Sequence, residues 1–289
     1  MVQRTPFLPA HLEVGAARGE EPRDVAIFIH GILGSAANWR SFARRLAEHH
    51  PSWLMVLVDL RNHGESAGAQ APHTVAACAA DVAALVHARG WSPALVCGHS
   101  FGGKVALHYA RDHAHDLDEV WLIDAPLGAM VPSVSDHPSV ADVRAVLEAI
   151  RAVPTPLPSR AALVPMLVSQ GLAEPVAQWL TTNLRVGEGG YRWRFDLAAV
   201  EEMLADYVTV DAWDVVERPP AGLRVHAVRG GRSDRLRPRD LARLEAAGAT
   251  AGVYVHTLPT AGHWVHADDP DGLLKLLGAA LTRLGSRPH

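Results

Sequence analysis

Residues 94–103 read Ala-Leu-Val-Cys-Gly-His-Ser-Phe-Gly-Gly. Ala94–Cys97 is a short, uninterrupted apolar run, as a strand buried on both faces requires, and a helical pattern opens at Gly103 and continues to Asp112. Gly98, Ser100 and Gly102 therefore stand at a strand–turn–helix corner. Such a corner lifts a serine hydroxyl above the carboxyl edge of a sheet, and the flanking glycines let the sharp turn pack closely. By composition alone the pattern Gly-x-Ser-x-Gly would occur in a chain of this length about one time in ten. Its weight comes from the corner, not from the letters.

Outward from this corner the same rhythm repeats. Val25–Ile29, Leu54–Val58, Val120–Ile123, Leu223–Val228 and Val253–Leu258 read as further strands. Helical patterns at Asn38–His49, Thr74–Arg89, Pro238–Ala246 and Pro270–Leu284 alternate with them. Continuous apolar strands alternating with helices predict an α/β fold, a mostly parallel sheet covered on both faces. The rhythm breaks once, between Pro126 and Pro220, where no strong buried strand is found but helical patterns recur at Val140–Arg151, Ala161–Gly171 and Leu197–Tyr207. We expect residues 1–125 and 221–289 to form one core and residues 126–220 to form a helical cap inserted into it.

The chain has 289 residues, enough for a sizeable core, with 48% hydrophobic and 20% charged residues. Lys plus Arg is 27 against 31 for Asp plus Glu, a net charge of −4, so the basic footprint of a nucleic-acid binder is missing. Cys78 and Cys97 are the only cysteines and both lie in apolar context, which excludes a disulfide scaffold and a cysteine-rich metal site. Met1–Asp24 shows no cationic start followed by an apolar stretch, and no run of ~18 apolar residues occurs. A cytoplasmic protein without a membrane span is the expectation.

A serine hydroxyl is a weak nucleophile and needs a base that is itself oriented by a third group. His263, in Ala261-Gly262-His263-Trp264, follows the last strand at the same sheet edge as Ser100 and is the candidate base. His266, three residues on, reads as a cap or surface residue beside the acidic start of the final helix. Two carboxylates compete as the orienting acid. Asp124 ends the strand Val120–Ile123, and Asp234 lies in the turn Gly231-Arg232-Ser233-Asp234; both give the chain order Ser…Asp…His. His30-Gly31-Ile32-Leu33-Gly34 ends the first strong strand, so that the Ile32 amide meets the Phe101 amide in an oxyanion hole; a shift of one residue would make Leu33 the donor. Trp39 and Trp264 are the candidate substrate-contact residues. No metal or cofactor is expected.

These residues resemble the α/β-hydrolase superfamily over nearly the whole chain, from about Val25 to Leu284. More narrowly they are similar to small bacterial acyl esterases and thioesterases of the abhydrolase type, through 30–35 (His-Gly-Ile-Leu-Gly-Ser), 59–64 (Asp-Leu-Arg-Asn-His-Gly), 98–104 (Gly-His-Ser-Phe-Gly-Gly-Lys), 262–267 (Gly-His-Trp-Val-His-Ala) and 191–195 (Tyr-Arg-Trp-Arg-Phe). The resemblance implies a Ser–Asp–His hydrolase built on Ser100 and His263. In the esterase group the acid follows the sixth strand, at Asp124; in the wider superfamily it follows the seventh, at Asp234. Asp59, Arg61, Asn62 and His63 read as a turn held by Asp–Arg and Asn–backbone hydrogen bonds.

The expected activity is hydrolysis of small-molecule carboxylic esters or thioesters of apolar acyl groups through an acyl-enzyme, with Val164, Met166, Leu167 and Trp179 either roofing the acyl pocket or forming the cap's own core. Carbon–carbon bond hydrolysis, lactone opening or cofactor-free haloperoxidase and perhydrolase chemistry would use the same triad. A binding-only protein would be expected to lack part of it. Arg229, Arg232, Arg235, Arg237 and Arg239 form either an anion subsite or a solvated helix start. Nothing in the patterning specifies an oligomeric state.

Overall fold

A computed structural model describes residues 6–15, 24–130, 138–249 and 252–286. Parts of the N-terminal stretch and residues 131–137 of the expected cap lie outside these. Seven strands make one sheet in the order β1 (His11–Gly15), β3 (Trp53–Val58), β2 (Asp24–Ile29), β4 (Pro93–His99), β5 (Glu119–Ile123), β8 (Arg224–Gly230) and β9 (Val253–Leu258). All neighbours are parallel except β1, which pairs antiparallel with β3. Strands β6 (Leu184–Gly187) and β7 (Gly190–Trp193) form a separate antiparallel hairpin.

The helices follow in chain order: α1 (Arg40–His49), α2 (Val75–Arg89), α3 (Phe101–His113), α4 (Pro138–Ala152), α5 (Leu163–Ser169), α6 (Glu174–Leu180), α7 (Leu197–Tyr207), α8 (Trp213–Glu217), α9 (Pro238–Gly248), α10 (Val265–Asp268) and α11 (Pro270–Gly285). Strand alternation sends successive side chains to opposite faces. Val25, Ile27 and Ile29 of β2 join one core with α2, α3, α8 and α9; Ala26 and Phe28 join another with α1 and α11. Every residue of β2 and β3 is buried, which is why both read as continuous apolar runs.

The segment between β5 and β8 holds α4–α8 and the hairpin, and carries a third apolar cluster that includes Leu147, Ile150, Leu163, Leu167, Leu180 and Val200. One of its features, and one elsewhere, depart from the sequence reading. The hairpin was not foreseen, because its strands are short and largely solvent-facing and carry no buried run. Strand β1 was missed for a similar reason: it is an edge strand, only partly buried, with just Leu12 and Val14 apolar in alternation. Val164, Met166, Leu167 and Trp179 all pack into this cluster, and of the four Trp179 alone also lines the large cavity described below.

Lys104 on α3 ties this segment to the sheet. Its side chain is fully buried and its Nζ donates to the carbonyl oxygens of Gly128 (2.9 Å), Tyr207 (2.9 Å) and Val210 (2.7 Å), just after β5 and just before α8. The ammonium also lies 4.2 Å from the centre of the Tyr207 ring. Lys104→Met keeps the stem and leaves three carbonyls without their donor. We expect it to lower the unfolding free energy by ~3 kcal/mol in a urea titration, whereas a loss below ~1 kcal/mol would mean that water replaces the ammonium.

Candidate active site

The corner at Ser100 has the geometry that its glycines predict. Ser100 sits at φ +52°, ψ −116°, between the end of β4 and the first turn of α3, and its N–H donates to Ile123 O (3.0 Å). A Cβ on Gly98 would lie 2.0 Å from Gly102 O, and one on Gly102 would lie 2.6 Å from His30 O. Any side chain at either place would push the serine out of position. Among the described residues the Ser100 hydroxyl has no hydrogen-bond partner, and Ser100 lines a cavity of about 730 Å³ together with His263, Ile32 and Phe101.

The two candidate acids part company here. Asp124 is fully buried, and its Oδ2 accepts from His263 Nδ1 at 2.8 Å and from Ser233 Oγ at 2.5 Å, while its Oδ1 accepts from Gly230 N (3.1 Å). Asp234 is out in solvent, its side chain 61% exposed, and faces Arg235 at 3.5 Å. Its neighbour Ser233, not Asp234, reaches the shared carboxylate. With Nδ1 engaged, the other ring nitrogen of His263 is the one left for chemistry. The loop holding that ring is fastened by His99, whose Nε2 bonds to His263 O at 2.9 Å.

The turn after β2 is equally constrained. Gly31 O accepts from Gly34 N (3.0 Å) and His30 Nδ1 (2.7 Å), and Leu33 stands at φ +59°. A left-handed backbone costs a leucine roughly 1–2 kcal/mol. The Leu33 N–H donates to His63 Nε2 (3.2 Å), so it is not available to a substrate; no such partner engages the Ile32 N–H among the described residues. His63 in turn donates from Nδ1 to Arg61 O (3.0 Å), and His30 Nε2 accepts from Leu60 N (3.0 Å), which sets both tautomers. Asn62 holds the loop at Gly68, Ala69 N and Ala69 O, as expected. The expected Asp59–Arg61 pair is absent. Arg61 instead forks onto Asp81 (2.7 Å twice), and Asp59 accepts from the N–H groups of Ala36 and Glu65. A buried guanidinium is better matched by a free two-oxygen fork than by a carboxylate already committed to two amides.

His266 is also reassigned. It is not a surface residue: its ring lies tilted against Trp39 (4.5 Å between centres) and meets His99 edge-on (5.0 Å), and it lines the cavity. The final helix starts only at Pro270, so the one-turn α10 swings His266 inward. Trp39 and Trp264 both line the cavity. Its remaining wall is mostly apolar, with Val143, Val146, Leu147, Leu172, Val176, Trp179, Leu204 and Val208 from the segment between β5 and β8. Of the arginines after β8, Arg237 and Arg239 both face Asp240, and Arg235 alone lines the cavity.

Comparison with known proteins identifies the family. The family model described as the alpha/beta hydrolase family matches residues 26–276. The chain belongs to the α/β-hydrolase family. It is a hydrolase. It is 26% identical over 276 residues to the sn-1-specific diacylglycerol lipase ABHD11 of Mus musculus (92% of this chain, 83% of that protein). It is likewise 26% identical over 275 residues to Esterase YbfF of Escherichia coli (92% and 96%). A solved marine microorganism esterase superposes with a TM-score of 0.80 over 94% of this chain and 98% of its own, at 22% identity. Among the described residues no helix is long and apolar enough to cross a membrane.

Burial keeps the histidines around the site neutral. It lowers the pKa of His30 to about 4; it lowers that of His63 to about 3, helped by His30; and it lowers that of His266 to about 4, helped by His263. The unfolded chain binds these protons near the ordinary histidine pKa of ~6.5, so from there down to about pH 4 it binds more protons than the fold does, and stability falls as pH falls. Above that window these groups contribute nothing. Urea titrations near pH 5 are expected to show an uptake of about two to three protons on unfolding from these groups. Stability that stays constant between pH 6.5 and 4.5 would contradict their burial as neutral rings.

Proposed function

We propose that the protein hydrolyses carboxylic esters or thioesters with apolar acyl groups through an acyl-enzyme on Ser100. The reading rests above all on the 2.8 Å hydrogen bond between buried Asp124 and His263 at the wall of a largely apolar cavity that also exposes Ser100. Names of relatives, an esterase and a diacylglycerol lipase among them, support the same bond class.

In this mechanism His263 Nε2 takes the Ser100 proton as Oγ attacks the acyl carbon. Asp124 accepts from Nδ1–H, holds the tautomer and offsets the positive charge that forms on the ring. The N–H groups of Ile32 and Phe101 stabilise the oxyanion, each worth ~2.7–4 kcal/mol in acyl-transfer enzymes. The imidazolium returns the proton to the departing alcohol or thiol. A water activated by the same His263 then releases the acid and restores Ser100. Residues 126–220 act as a cap whose apolar wall takes the acyl chain, and Trp264 and Trp39 bound the pocket from the core side.

Hydrolysis of p-nitrophenyl esters from acetate to octanoate is expected to vanish in Ser100→Ala and to favour medium chains over acetate. Activity that survives this substitution would move the nucleophile elsewhere. Wild-type inactivity on every ester and thioester would turn the reading to carbon–carbon cleavage on the same residues. For the acid, Asp124→Asn is expected to lower kcat by ~10⁴-fold, while Asp234→Asn stays within about twofold, as an exposed side chain should. The reverse order would make Asp234 the acid.

A further inference from the structure

The turn that carries Ile32 is aimed by its carbonyl partners. In a trans peptide the N–H points opposite the C=O, so the grip of His30 Nδ1 and Gly34 N on Gly31 O directs the Ile32 N–H the other way. The turn does not hold itself closed, because Leu33 occupies the left-handed region that only glycine enters without penalty. Such a conformation persists where its surroundings over-determine it.

Leu33 is held from two directions. From the core, His63 Nε2 takes its N–H. From the segment between β5 and β8, Asn183 Nδ2 donates to Leu33 O at 2.6 Å, and the Leu33 side chain is buried within that segment's own apolar cluster. Asn183 is itself buried and anchored, since its carbonyl accepts from Arg194 N (2.8 Å) at the end of the β6–β7 hairpin. Two residues later Asp196 N donates to Asn62 O (3.0 Å), in the loop that supplies His63. Residues 183–196 therefore connect both holders of the strained turn.

We infer that Asn183 is a positioning residue for the oxyanion turn: by holding Leu33 O from the cap side, it keeps the Ile32 N–H aimed at the developing oxyanion. The inference rests on the proposed acyl-enzyme reading. Asn183 touches no reacting atom, and it is absent from the cavity wall. Its loss should therefore weaken binding of the tetrahedral species while leaving the ground-state ester almost unaffected.

The test measures kcat and KM with p-nitrophenyl butyrate, and Ki for an alkyl trifluoromethyl ketone, which binds as a charged hemiketal and needs the same N–H donors. Asn183→Leu removes the donor but keeps the branched outline of the side chain, and the near-isosteric Asn183→Asp repeats the loss should the first variant fold poorly. Both are expected to lower kcat and raise the ketone Ki in parallel by ~10–100-fold with KM within about threefold. Leu163→Ala, in the same apolar cluster but without a bond to the turn, is the control for mere loosening of the cap. It should lower the melting temperature and leave the ketone Ki within about threefold. An unchanged Ki in the Asn183 variants, or an equal rise in Leu163→Ala, would overturn the assignment. A wild type that neither hydrolyses esters nor binds the ketone would instead sink the acyl-enzyme reading, and the inference with it.

Discussion

The close approach of Gly98 to Gly102 is the constraint on which the rest depends. With a Cβ at Gly98, strand β4 and helix α3 could not meet at the angle that leaves Ser100 at φ +52° on the rim of the sheet. The neighbouring parts are set against that corner. Gly102 lies under the carbonyls of Ile29 and His30, so the end of β2, and with it the turn carrying Ile32, is placed by the same contact. Gly103 packs against Ala125, one residue past Asp124. Three loops thus take their position from one crowded backbone crossing.

Around the corner Asp124, His30 and His63 are dry yet satisfied, while the buried Trp39 Nε1 and His266 Nδ1 have no hydrogen-bond partner among the described residues. Asp124 is fully buried but accepts three hydrogen bonds, and the imidazoles of His30 and His63 each donate once and accept once. In a low-dielectric setting such networks are stiff, because any displacement leaves a buried group unpaired. Stiffness here is what fixed dipoles aimed at a developing charge require.

Much of this was legible in the chain because the decisive signals are local. The buried strands show as apolar runs, and Ser100 and His263 stand in short patterns at strand ends, where α/β sheets gather their chemistry. What stayed hidden depends on contacts between distant residues. The choice between Asp124 and Asp234 turns on which of two strand ends points inward, and no pattern within either turn encodes it; Ser233 hints at the answer only once it is seen on Asp124. His266 looks like any histidine near a helix start until the short α10 turns it onto Trp39. The segment 59–64 is visible as a motif, but the target of its His63, the amide of Leu33, is thirty residues away. Strand β1 and the β6–β7 hairpin carry too little buried surface to leave a periodic trace.

The seat of the buried carboxylate is built by two strands at once. Asp124 directly follows β5, and the end of β8 with the loop after it provides Gly230 N and Ser233 Oγ as its clamp. His263 and Ser233 thus meet on one oxygen of the same carboxylate, and Ser233 stands next to the exposed Asp234. Any relative shift of the two strand ends would reach the imidazole through that single shared oxygen.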